Sequence, residues 1–264
     1  MSLRHEVYLA ALREESERFL GALAGVEPAT AVPTCAGWTA ADLTWHLGEV
    51  QHTWSQHARQ GPEAEHPPTP ERPDDADLAR FTATAGTELL TALSSREPDE
   101  LCWSWHEDGG TIGWVARRQA HEALIHRVDA ELTAGRSVTP PSVELAADGV
   151  DELLRVMVDG VPDWGDFVPD DTTVRIECTN AEASWVLALG RFVGTSPTTG
   201  TTYDLDTAAV LDEDDGGTDE LVVRGAAWDL DRWLWGRGGT ESLDVSGDPA
   251  ILERVRALVT EATQ

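Results

Sequence analysis

The chain has 264 residues and a formal net charge of −29, from 48 acidic against 19 basic side chains. Its length predicts two domains, each able to bury a core of its own, and its charge repels a phosphate backbone, which argues against nucleic acid as a partner. All 19 basic residues are arginines, so reactions that need a lysine, namely Schiff-base, pyridoxal phosphate and P-loop chemistry, are excluded.

Cys35, Cys102 and Cys178 are odd in number and far apart. They fit neither a disulfide framework nor a CxxC motif and read as reduced core residues. The opening MSLRHEVYLAALREESERFL reads as an acidic amphipathic helix without a basic leader, and no apolar run nears membrane-spanning length, so a cytoplasmic protein with no membrane partner is expected. Eleven tryptophans, grouped as Trp38, Trp45 and Trp54, then Trp103, Trp105 and Trp114, then Trp228, Trp233 and Trp235, are expected to supply much of the packing area.

Residues 3 to 24 place Tyr8, Leu12, Glu15, Phe19 and Leu23 on one side of a first helix that Gly25 and Pro28 end. Thr39, with Asp42 three residues later, predicts a capped second helix to about Ala58 that carries His46. Residues 61 to 74 contain five prolines and connect to a third helix over 75 to 94, with Leu78, Phe81, Ala85, Leu89 and Ala92 as its buried stripe. Leu101 to Trp105 alternates like a strand, EDGG supplies a turn, and Thr111 precedes a fourth helix that runs to about Ala134, closed by Gly135.

These four helices suffice for a bundle. After Pro140 and Pro141 the pattern changes to a helix over 143 to 159, strands in TTVRIECT and SWVLALG, a threonine-rich stretch and DEDDGG. Then come strand ELVVRG, helix WDLDRWLW, strand ESLDVSG and a last helix from Pro249. The expected class is α followed by α+β, with domains at 1–139 and 142–264. The acidic runs PDDAD, DEDDGG and DWGDFVPDD lack the EF-hand pattern and read as solvated loops.

Three residues carry the chemistry. With Val115 as origin and about 100° per residue, Gln119, Glu122, His126 and Asp129 fall within about 80° of one another on the fourth helix. Glu122 and His126, four apart, can reach one point, whereas His121 and His126 are five apart and cannot form the HExxH zinc pair. On the second helix His46 lies about 70° from the centre of the stripe formed by Leu43, Leu47, Val50 and Trp54 and so points into the bundle. Two imidazoles and one carboxylate suit zinc, nickel or ferrous iron and leave coordination positions open. Asp129 is placed to orient a ligand, with an ion pair to Arg127 as its alternative role. Cys35 reads as structural, because a thiolate ligand would close the site.

The segments VPTCAGWTAADLTWHLGEV and RRQAHEALIHRVDA resemble the mycothiol-dependent maleylpyruvate isomerase family, in the positions Cys35, Gly37, Trp38, Thr39, His46, Arg118, Glu122, His126 and Asp129. GAAWDLDRWLWGR is similar to that family's carboxyl-terminal part. The resemblance implies a DinB-like metal-binding four-helix bundle followed by a small α/β domain, a divalent metal, zinc first with nickel or iron next, held by His46, Glu122 and His126, and mycothiol as co-substrate. It also implies Arg237 as an arginine that helps hold the thiol. The expected activity is attack of the activated thiol on a small electrophile, as isomerase or S-transferase. A metal-dependent hydrolase and a non-catalytic metal- or ligand-binding protein are the alternatives.

Overall fold

The computed structural model describes residues 2–63, 65–106, 109–212 and 219–263. Two compact units follow one another, Ser2–Thr139 and the residues from Pro140 onward. Half of the EDGG turn, Glu107 and Asp108, and all of DEDDGG but Asp212 lie outside the described residues.

Among its described residues the first unit contains four helices: α1 (His5–Leu23), α2 (Ala40–Gln60), α3 (Asp75–Ser94) and α4 (Ile112–Thr133). Helix α1 buries Tyr8, Ala11, Leu12, Glu15, Phe19 and Ala22, the spacing of one helical face, and packs against α4. Glu15 belongs to this face because Arg127 of α4, wholly buried, donates from Nε to its Oε2 at 2.6 Å and from Nη1 to Glu131 at 2.7 Å. Helix α2 packs against α3. There Gly48 makes room, since a Cβ on it would lie 2.6 Å from Oγ1 of Thr82, whose hydroxyl donates to the Thr44 carbonyl.

The α2 start follows from its cap. Asp42 N donates to Oγ1 of Thr39 at 3.2 Å, and Thr39 N donates back to the Asp42 carboxylate at 3.0 Å, so two otherwise orphaned donors are satisfied. At the start of α4 the Thr111 hydroxyl accepts from Trp114 N, without a reciprocal side-chain bond. Leu101 to Trp105 does not form the expected strand. Only an isolated bridge from Leu101 to Thr111 exists, and Trp103 instead stacks on the His57 ring at 4.2 Å.

The second unit opens with α5 (Val143–Glu152), which continues as a π-helical turn over Leu153–Val158. Strands β1 (Gly165–Cys178), β2 (Ser184–Thr195), β3 (Thr202–Leu211), β4 (Leu221–Gly225) and β5 (Asp244–Gly247) form one sheet in the order β3-β2-β1-β4-β5. Only β1 and β4 run parallel. Helices α6 (Ala227–Leu234) and α7 (Pro249–Ala262) complete it. The chain is thus a helical first half followed by a mixed α/β half.

Three expectations need correction. DWGDFVPDD is not a solvated loop: it enters β1, where the register shifts between Pro169 and Thr172. Pro169 is tolerated because β4 pairs only with Val174 to Cys178, so no second neighbour needs its missing N–H. Likewise PDDAD starts α3, with Asp74 at its cap position. The threonine-rich stretch leads into β3, an edge strand whose Asp204 and Asp206 face Arg191 of β2, so only Ala208 and Val210 are buried and its apolar alternation is weak.

Candidate metal centre

The centre lies between α2 and α4 above an apolar floor. Phe19, Ala22, Val32, Leu43, Leu47 and Ala130 form one buried cluster, and Cys35 and Trp38 pack against it. Burial of each large side chain in that floor contributes roughly 1.5–3 kcal/mol, so the helices that carry the polar groups are fixed from below.

On this floor Oε1 of Glu122 lies 3.2 Å from Nε2 of His46 and 3.2 Å from Nε2 of His126. One ligand atom from each of the three residues falls within 4.8 Å of the others. The two imidazoles meet edge to face with centroids 4.8 Å apart. The centre opens at His46, whose side chain is 32% exposed, while those of Glu122 and His126 are 11% and 9% exposed.

Each member has a further partner. Arg118, one turn before Glu122, donates to its Oε2. His126 Nδ1 lies 2.9 Å from Oδ2 of Asp129, which is fully buried. Asp129 also accepts the Thr34 hydroxyl at 2.5 Å and the Cys35 thiol at 3.5 Å, and Arg127 donates to Glu15 and Glu131. Trp38 lies over both rings, 4.8 Å from His46 and, nearly parallel, 6.3 Å from His126.

Electrostatics follow from these contacts. Burial alone would raise the Glu122 carboxyl, but the Arg118 guanidinium and then His126 outweigh it and hold it well below the usual carboxylate range. Burial alone would lower His126, and Glu122 with Asp129 outweighs that and pushes it up to about 9. Nε2 of each histidine therefore faces a carboxylate oxygen. Donors bound to one zinc at about 2.0–2.2 Å stand roughly 3–4 Å apart, and the two 3.2 Å separations match that spacing.

The other sequence candidates fall as follows. Gln119 is buried on α4 with its Oε1 unbonded. His121 is buried beside the Tyr8 ring and is not a member of the three-residue group. Arg237 follows α6 and donates from Nη1 to the Trp235 carbonyl at 2.6 Å. Thr34 was not a sequence candidate, since a hydroxyl 95 residues from its partner carries no local pattern.

Two family models match in series: the mycothiol maleylpyruvate isomerase N-terminal domain over residues 9–131 and the MDMPI C-terminal domain over residues 144–254. The chain belongs to the mycothiol-dependent maleylpyruvate isomerase family. Membership of that family makes it an enzyme of the isomerase type. A crystal structure of the mycothiol-dependent maleylpyruvate isomerase is similar over 92% of this chain and 93% of that chain, with a TM-score of 0.57 and 16% identity. A crystal structure of a histidine-to-alanine mutant of that isomerase gives the same values. At such identity the likeness speaks for the fold. No curated protein matches the chain. Among the described residues no helix is long and apolar enough to cross a membrane.

Proposed function

We propose that the chain is a divalent-metal-dependent enzyme of its family that activates mycothiol for attack on a small electrophilic substrate, by cis-trans isomerisation of a maleylpyruvate-like acid or by S-transfer. The first unit would be the metal-binding domain, with His46, Glu122 and His126 as ligands. The observation that carries this is the convergence of two imidazole Nε2 atoms on one carboxylate oxygen, with the His46 side open. The donor set fits zinc, and nickel or ferrous iron as well. A divalent ion held by two neutral imidazoles and one carboxylate keeps net positive charge, which lets a thiol beside it lose its proton near neutral pH.

The chain's own residues supply the rest. Arg118 occupies Oε2 of Glu122 and leaves Oε1 to face the imidazoles. Asp129 accepts from Nδ1 of His126 and so directs its Nε2 inward. Trp38 walls the two rings on one side and restricts water there. Gln119, on the same face of α4 one turn before Glu122, offers an unbonded amide oxygen as a second polar group of the centre. Arg237 is proposed to contact the thiol or the substrate.

Elemental analysis of wild type beside His46→Ala and Glu122→Ala tests the assignment, together with turnover of maleylpyruvate with and without mycothiol. The reading expects an ion in wild type only, and turnover only when thiol is present. Equal metal in all three proteins, or turnover without thiol, overturns it.

A further inference from the structure

The turn before α2 touches both ligand-bearing helices. The Trp38 amide donates to the Cys35 carbonyl at 3.0 Å and the Val32 amide to the Trp38 carbonyl at 2.9 Å, and Gly37 takes φ +82°, a left-handed conformation that the chain adopts readily at glycine. One end of this turn runs directly into the Thr39 cap and α2. The other end presents Thr34 and Cys35 to Asp129 of α4.

From this we infer that Thr34, with Cys35 beside it, is a positioning residue for the metal centre: its hydroxyl locks the Asp129 carboxylate that orients His126, and the same turn sets His126 in register with His46. The inference rests on the metal assignment above for its functional meaning. The carboxylate of Asp129 is buried and accepts from three side chains at once, and these donors help to fix its plane. Oδ1 is held by Thr34 at 2.5 Å, the shortest of the three bonds, and Oδ2 is shared between His126 and the weaker thiol donor. Without the hydroxyl Oδ1 loses its shortest bond, and the carboxylate and the imidazole it holds are less firmly oriented.

The test compares Thr34→Val, which keeps shape and removes the hydroxyl, with Thr34→Ser, which restores it, and with Thr34→Ala should the valine protein not fold. Two readouts are taken: zinc affinity by competition with a chromogenic chelator, and solvent exchange of the His126 Nδ1–H in metal-free protein by nitrogen-15 NMR, assigned by its loss in His126→Asn. Loss of an outer hydrogen-bonding partner lowers metal affinity about 10–100-fold, so that drop is expected for valine or alanine, with faster N–H exchange and recovery of both readouts in serine. Unchanged affinity and exchange in the variant lacking the hydroxyl overturn the inference, as does an equal defect in serine, which would mark packing as the cause. If wild type takes up neither zinc nor nickel nor ferrous iron, the metal assignment falls, and N–H exchange alone decides whether Thr34 locks Asp129 and His126.

Discussion

Arg118 donates to one oxygen of Glu122, and the other oxygen of that carboxylate stands 3.2 Å from both histidine Nε2 atoms. Four residues separate the two on α4, so the helix itself delivers the guanidinium to the carboxylate. The pair gives Glu122 two distinct sides, one neutralised by a fixed cation and one turned to the imidazoles.

Removal of that cation tests the arrangement. Glu122 is held below its ordinary value because Arg118 and His126 together outweigh burial, so its contribution to stability is present above the unfolded value of 4.5 and lost as pH falls through the lower folded value. In Arg118→Met burial is opposed only by His126 and the weaker His46 contact, and the midpoint of Glu122, followed by carbon-13 NMR in metal-free protein, moves upward. An unmoved midpoint contradicts the pairing.

His126 behaves in the opposite sense. Raised to about 9 from 6.5, its charged form stabilises the metal-free fold fully below pH 6.5, and that contribution is lost as pH rises through about 9. A metal requires the neutral imidazole. Zinc uptake at pH 7 is therefore expected to release a proton from His126, measured as the dependence of calorimetric heat on buffer ionisation enthalpy. Apparent affinity should climb about tenfold per pH unit in this range. A buffer-independent heat contradicts this.

The Arg127 cluster predicts a large loss of stability away from the centre. Breaking a buried ion pair by removing one partner costs about 3–5 kcal/mol, and Arg127→Met takes the buried cation from both Glu15 and Glu131, leaving them only the half-exposed Arg18 and the Thr139 donors. Urea denaturation should show that loss, and Arg127→Met with Glu15→Leu should recover part of it. A loss below about 1 kcal/mol would place the cluster with weak surface pairs.

At the start of α2, Thr39→Ala removes the hydroxyl that accepts from Asp42 N. Such cap losses cost about 1 kcal/mol, which corresponds to a fall of roughly 2–4 °C in Tm for a domain of 150–250 residues and more for a smaller one. Thr39→Ser should stay near wild type in a thermal melt. A larger effect on Tm from serine than from alanine contradicts the cap.

The helical half was legible because its signals are local. Thr39 with Asp42 marks the α2 start, a period of 3.6 residues marks each buried face, and Glu122 and His126 are one turn apart. That His46 and Glu122 meet across 76 residues was legible only through the inward face assigned to His46 and through the family resemblance. The sheet half was less legible. Strand β3 was missed because an edge strand needs few apolar residues, and the first part of β1 because Pro169 and its acidic neighbours resemble a loop. Thr34 and Arg127 owe their contacts to tertiary approach, which no spacing along the chain records.

Trp38 gives the centre an optical reporter. Its indole stands 4.8 Å from one imidazole and 6.3 Å from the other, so a paramagnetic cation such as cobalt(II) lodged between those rings would sit close enough to quench its emission. The loss of signal absent in a Trp38→Phe protein isolates this indole from the other ten and lets occupancy be followed in real time, without any dye.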